Sequence, residues 1–142
     1  MDRERLYAQL RLHEGVEYKP YKCTAGYLTI GVGRNIEERG LSDDEIDYLL
    51  TNDVNIVTDE LVKSFDWYAD LSPVRQRVVV DMVFNLGMPR FKQFKNMIAA
   101  IEAGDWMEAS NQMMDSRWAK QVGFRASRLA EMMETDEDSS DF

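Results

Sequence analysis

The stretch Glu14–Asn35, EGVEYKPYKCTAGYLTIGVGRN, decides how the chain is read, because the pattern changes from helical to strand-like inside it. Before it, Leu6, Tyr7 and Leu10 share one face of a helix expected over residues 3–13, and Gly15 can supply the left-handed stop. Beyond it, Tyr18 and Tyr21 flank Pro20, Thr24-Ala25-Gly26 makes a turn, and Tyr27-Leu28-Thr29-Ile30 is rich in β formers. Gly31 and Gly33 leave alternate positions bare, as expected where backbone bends sharply or approaches another group closely. The segment has room for roughly two or three short strands.

The rest of the chain reads as helix. Ser42 with Glu45 forms a capping-box pattern, after which Ile46, Leu50, Val54, Val57, Leu61 and Phe65 recur at helical steps. One helix of roughly 33 Å fits this run, and so do two shorter ones broken near Thr51-Asn52. Ser72-Pro73 starts the next helix, apolar around most of its girth through Val78, Val79, Met82 and Val83, and Gly87 with Pro89 ends it. Phe91, Phe94, Ile98 and Ile101 mark another helix, closed by Gly104. Asp105 opens a helix carrying Trp106, Ala109 and Met113, a short segment spans Ser116–Gln121, and a last helix carries Leu129 and Met133. The paired methionines, Met113-Met114 and Met132-Met133, suit core filling or a soft binding surface. The terminal TDEDSSDF has too little apolar content to pack and is expected to fray.

A net charge of −9 disfavours nucleic acid as a partner, since that affinity depends on neutralising phosphates. The charge is uneven: Glu131–Phe142 holds six acids and no base, whereas Met88–Arg128 carries seven bases against four acids. That basic span is either a wall for an anionic polymer or an ordinary solvated helix surface. A single cysteine permits no internal disulfide and fits folding in a reducing compartment. No signal-like or membrane-spanning apolar run is present, so work outside the cytoplasm would need another route of release. The lone His13 has no ligand cluster in the neighbouring sequence, and neither metal nor cofactor is expected.

Glu14 lies four residues beyond Leu10 on the same stripe. A carboxyl at the exit of a buried face is partly desolvated, which favours its protonated form and suits a general acid. The alternative is a helix-end glutamate open to water. Glu14, Cys23 and Thr29 are separated by eight and five residues, across a helix end and a hairpin. With this spacing, the chain resembles the phage-type lysozymes, the muramidase endolysins of glycoside hydrolase family 24, whose triad has Asp or Cys at the middle position. The resemblance extends over His13-Glu14-Gly15, the GYLTIGVGRN hairpin, DMVFNLG at 81–87, SRW at 116–118, and Arg125 and Arg128.

The resemblance implies an α+β, mostly helical, lysozyme-like fold. Its small lobe and linking helix would span about 14–65, its helical lobe about 1–13 and 66–134, and an acidic tail 135–142, with peptidoglycan lying between the lobes. It implies cleavage of the β-1,4 bond between N-acetylmuramic acid and N-acetylglucosamine by a chain made in the host cytoplasm. That chain would act as a monomer, without membrane insertion, and lyse the host after a holin-like partner permeabilises the inner membrane. Carried over by position, Glu14 is the acid, Thr29 helps hold the attacking water, Cys23 takes the place usual for Asp, and Asn35, Phe84, Met97 and Gln112 line the groove. The family hairpin often ends Gly-His, whereas this one ends Gly33-Arg34, which gives any ion pair there a different geometry.

Cys23 leaves the chemistry open. A thiol is mostly neutral near pH 7, whereas an inverting glycosidase needs a base opposite its acid. Either Cys23 acts as thiolate, or another carboxylate such as Glu17 supplies charge, or the water is only positioned by Thr29 and Cys23, the account favoured on sequence. Without the resemblance, Cys23 also reads as a small buried residue. Competing functions are a lytic transglycosylase, which needs one acid/base, and a non-catalytic wall-binding module.

Overall fold

A computed structural model describes all residues from Met1 to Phe142. It is mostly helical with one three-stranded antiparallel sheet, and its contacts define two compact units, Met1–Leu49 and Leu50–Phe142. Residues 1–13, expected with the helical lobe, fall in the first unit with the hairpin.

The first unit opens with helix α1 (Arg3–Glu14). Asp2 caps it by accepting from the Arg5 amide at 3.0 Å, and Gly15 ends it at φ 79°. The expected apolar face does not form a buried stripe: no residue of α1 is buried, and Tyr7 and Leu10 are exposed. The three apolar side chains of that face are only partly covered, and Leu12 projects elsewhere into solvent, so α1 makes no continuous buried stripe.

Strands β1 (Glu17–Lys22), β2 (Leu28–Gly31) and β3 (Arg34–Asn35) follow in the order β1-β2-β3. Thr29 sits in the middle strand, opposite Tyr21 on one side and Asn35 on the other. The register of β1 shifts between Glu17 and Tyr21, the segment containing Pro20, which has no N–H to donate. Asn35 then caps the short helix α2 (Ile36–Arg39), its side-chain oxygen accepting from the Glu38 amide at 3.1 Å.

Helix α3 (Asp43–Ser64) is one unbroken helix of 22 residues rather than two. Its start shows half of the expected capping box. Glu45 accepts from the Ser42 amide at 2.8 Å, while the Ser42 hydroxyl donates to Asp44 and Glu45 instead of capping a backbone amide.

The second unit contains the rest of α3, a 3-10 turn at Tyr68–Asp70, and helices α4 (Pro73–Leu86), α5 (Met88–Phe91), α6 (Lys95–Ala103), α7 (Trp106–Met114), α8 (Arg117–Val122) and α9 (Phe124–Thr135). The caps read from sequence at Ser72 and Asp105 are in place, each accepting from an amide three residues on, as does Ser116, not read as a cap, for α8; Gly87 and Gly104 end α4 and α6 at positive φ. The single helix expected from Phe91 is divided. Pro89 belongs to the separate first turn of α5, and Phe94, at ψ 58°, leaves helical backbone before α6 begins.

Leu61, Val78, Val79, Met82, Val83, Phe91, Met97 and Ile101 form the core with residues of α7 to α9. α7 packs on α6 and α9, and the buried alanines Ala109, Ala126 and Ala130 suit the close approach of α7 and α9. Met113, Met132 and Met133 are core residues, whereas Met114 is exposed.

One cation lies inside this core. Arg75 is buried, donates to the carbonyls of Met133 at 2.8 Å and Glu134 at 3.1 Å, and stacks 4.0 Å from the Trp106 ring centroid. It thereby satisfies carbonyls at the end of α9 that no helical amide can reach. The acidic tail is correspondingly not frayed. Asp136 pairs with Arg75 and accepts from Ser72, Asp138 pairs with Arg77, and Asp141 pairs with Arg128. Arginine partners elsewhere in the unit hold a segment whose own apolar content could not.

Candidate active site

Glu14 is the last residue of α1, and its side chain lies against the turn between β2 and β3. A Cβ added to Gly33 would stand 2.6 Å from Glu14 Oε2, 3.0 Å from Cδ and 3.2 Å from Cγ. The carboxyl therefore rests on bare backbone at a residue with φ 66°, where a side chain would meet both strain and collision. Glu14 is exposed, so the desolvation expected from a buried stripe is absent, and the contact with Gly33 is what locates the carboxyl.

Cys23 and Thr29 are brought together by the β1–β2 turn. The Cys23 amide donates to the Tyr27 carbonyl at 3.0 Å, and the Gly26 amide donates to the Cys23 carbonyl at 2.9 Å. Around the partly buried thiol, the Tyr27 amide foremost and then that of Ala25 pull its pKa below the usual thiol value. Partial burial opposes them, and the Thr29 hydroxyl and the Gly26 amide add smaller contributions in the lowering direction. Hydrogen bonds to sulfur favour the thiolate because they stabilise its charge. Thr29 is buried, and its hydroxyl donates to the Tyr27 carbonyl at 2.9 Å. Its one proton can serve that carbonyl or the Cys23 sulfur, and in either case the oxygen keeps lone pairs with which to accept from a water. Glu17, the other source of negative charge considered on sequence, starts β1 opposite Gly31 and is exposed.

Arg34 has a partner that sequence reasoning did not find. Its Nη2 lies 2.5 Å from Glu45 Oε2, and Nη1 donates to the Gly40 carbonyl at 3.3 Å. The guanidinium and the Ser42 donors hold Glu45 well below the usual carboxylate range, at about 2, so the pair stays charged through any ordinary pH. The signal was present in the sequence as the capping-box glutamate, but its partner belongs to a different element, and helical or strand periodicity does not link the two.

The four residues expected along a groove lie in different places. Asn35 is in the first unit, half-buried, with its side chain engaged in capping α2. Met97 and Gln112 line one concavity with Phe94, Lys95 and Ser116, but Met97 is a core residue at 1 % exposure. Gln112 donates to Glu108 at 2.7 Å. Phe84 is exposed on α4 and lines a separate, mostly apolar concavity with Val54, Tyr68 and Val80.

The motifs at 81–87 and 116–118 have a structural account. Asp81 accepts from Arg125 Nε at 2.8 Å, and Asn85 accepts from the Trp118 indole at 2.8 Å. Both bonds join α4 to the last two helices. No cluster of three or more His, Cys, Asp and Glu side chains is placed to hold a metal, and His13 is exposed. No helix is long and apolar enough to cross a membrane.

A sequence profile of the family described as "Phage lysozyme" matches residues 11–133. The chain is 26% identical over 155 aligned positions to "Probable T4-type lysozyme 1" of Dictyostelium discoideum, covering 89% of this chain and 91% of that one. It is 31% identical over 118 positions to the "SAR-endolysin" of Escherichia phage Mu, covering 79% and 64%. A third relative, the "Pre-baseplate central spike protein Gp5" of Enterobacteria phage T4, is 30% identical over 148 positions, covering 84% of this chain and 26% of that protein.

Proposed function

The chain belongs to the phage lysozyme family, a family of cell-wall glycoside hydrolases of the muramidase type, and from that membership we propose that it cleaves the β-1,4 bond between N-acetylmuramic acid and N-acetylglucosamine. Glu14 is the general acid that protonates the leaving oxygen. The observation that carries this assignment is the contact of its carboxyl with Gly33, in the β2–β3 turn of the sheet whose β1–β2 turn and middle strand carry Cys23 and Thr29. A close backbone contact holds an exposed carboxyl ready for a saccharide oxygen, and positioning of that kind is a large share of catalytic power.

Thr29 and Cys23 hold the attacking water, Thr29 through the lone pairs of its hydroxyl oxygen. The amides around the thiol give Cys23 more thiolate character than a free cysteine has, so it strengthens the water's orientation with partial negative charge. Asn35 and Gln112, half-buried, and Phe84, exposed, each meet the glycan, and the buried Met97 lines the same concavity as Gln112. The protein acts as a monomer on peptidoglycan, is made in the cytoplasm of a phage-infected host, and reaches the wall once a membrane-permeabilising partner opens the inner membrane. Two of the relatives carry the name endolysin, in keeping with a role in host lysis.

The test is digestion of purified peptidoglycan by the wild type and by Glu14→Gln, with products identified by mass. The wild type should release reducing-end muropeptides carrying one added water, and Glu14→Gln none. Equal release by both would remove Glu14 from the mechanism, and 1,6-anhydro products would assign a lytic transglycosylase instead.

A further inference from the structure

We propose that Arg34 and Glu45 form a positioning strut for the acid, fixing the Gly33 backbone on which the Glu14 carboxyl rests. The inference rests on the reading of Glu14 as general acid and adds two residues that do not touch the reacting atoms.

Three observations carry it. First, α1 buries none of its residues, so core packing does not fix the helix end from which Glu14 projects. The carboxyl is located instead by Gly33, close enough that a single added carbon would collide with it. Second, Gly33 sits in a glycine-flanked turn, with Gly31 and Gly33 both at positive φ, and such a turn has little intrinsic stiffness. The residue that ends this turn is Arg34, paired with Ile30 across the sheet.

Third, the Arg34 side chain ties that end of the turn to two other parts of the unit: the Gly40 carbonyl and the Glu45 carboxylate. Glu45 is itself held at both oxygens, Oε2 by Arg34 and Oε1 by the amide and hydroxyl of Ser42 at the start of α3. The chain of contacts therefore runs from the start of a long helix, through a charge-assisted bond, to the peptide under the acid. An isolated surface ion pair contributes little to stability, so the expected effect of cutting this one is on geometry more than on folding. Small displacements of a reacting group have disproportionate kinetic effects.

The experiment compares the wild type with Arg34→Gln, Glu45→Gln, the double variant and Arg34→Lys. Glu45→Gln keeps an oxygen for the Ser42 amide and so preserves the helix start. The strut requires kcat on peptidoglycan to fall about 5- to 20-fold in either neutral variant with KM changed less than about twofold. The double variant should be no worse than the singles, and Arg34→Lys should recover at least about half of the loss.

A second readout does not depend on turnover: the backbone amide resonance of Gly33, followed against pH. In the wild type it should move as the Glu14 carboxyl titrates, a movement absent in Glu14→Gln and much reduced in Arg34→Gln. If the wild type proves inactive on peptidoglycan, the reading of Glu14 fails while the resonance still decides the strut. Unchanged kcat in the neutral variants, multiplicative losses in the double variant, or a Gly33 titration undiminished in Arg34→Gln would each overturn it.

Discussion

Replacing Gly33 by alanine separates backbone strain from displacement of the acid, because a second glycine provides the control. At Gly33 the backbone has φ 66°, and at Gly31 φ 68°. An alanine at either position therefore pays a similar left-handed penalty, about 1–2 kcal/mol. That corresponds to a fall in Tm of roughly 3–6 °C for a chain of this size. The surroundings differ: a Cβ at Gly31 meets nothing within 4 Å, whereas at Gly33 it stands 2.6 Å from Glu14 Oε2. To reach ordinary contact at 3.4 Å, the carboxyl must retreat by most of an ångström or the turn must shift by as much. A displacement on that scale lowers kcat by about 10- to 100-fold where proton transfer depends on reach. Thermal unfolding and muropeptide release, measured on both variants, are the assays. Gly31→Ala should lose stability and keep most of its turnover, while Gly33→Ala should lose both. Equal turnover losses in the two variants, or wild-type kcat in Gly33→Ala, would refute the placement of Glu14 on this backbone.

Two further outcomes follow from the hydrogen bonds. The thiol of Cys23 is held below its ordinary pKa by the Tyr27 and Ala25 amides, so alkylation by iodoacetamide should show a lower pH midpoint in the folded protein than in urea. Because the folded value is the lower one, the stability this group contributes is fully present above the unfolded thiol pKa and is lost as pH falls through the folded value. Cys23→Ser should therefore lose ground to the wild type as pH rises through that window, and identical midpoints in the folded and denatured chains would contradict the turn geometry. In the second unit, Asn85→Ala leaves the indole N–H of the buried Trp118 without its acceptor and should cost about 1–3 kcal/mol in denaturant unfolding. Asn85→Asp keeps an oxygen in place and should cost less, and a negligible cost for the alanine would show that the indole finds another partner.

Much of the fold was legible because its signals are local. Ser72 before Pro73, Asp105 before Trp106, and the glycines at 87 and 104 act within one helical turn, so a short window of sequence contains both partners of each bond. The candidate site was legible for a similar reason. Hairpin register brings Cys23 and Thr29 together over six positions, and bare positions at Gly31 and Gly33 announced close approach, which Gly33 alone makes.

What stayed hidden is nonlocal. Nothing near Arg75 shows that it is buried under the end of α9, nothing near Arg34 points to Glu45, and the tail looked unpackable because its partners Arg77 and Arg128 lie elsewhere along the chain. The buried face expected for α1 failed for the opposite reason. Periodicity shows which side chains share a face, but not whether anything covers it.

The bond from Arg75 to the carbonyls of Met133 and Glu134 also bears on how the protein comes into being on the ribosome. α4 is translated well before α9, so the nascent chain carries an apolar helix and a cation whose acceptors do not yet exist. The helical unit closes its core only when α9 and the acids beyond it have left the exit tunnel, because contacts between distant segments form last. A nascent chain stalled short of Met133 would therefore be left with its interior open to proteases.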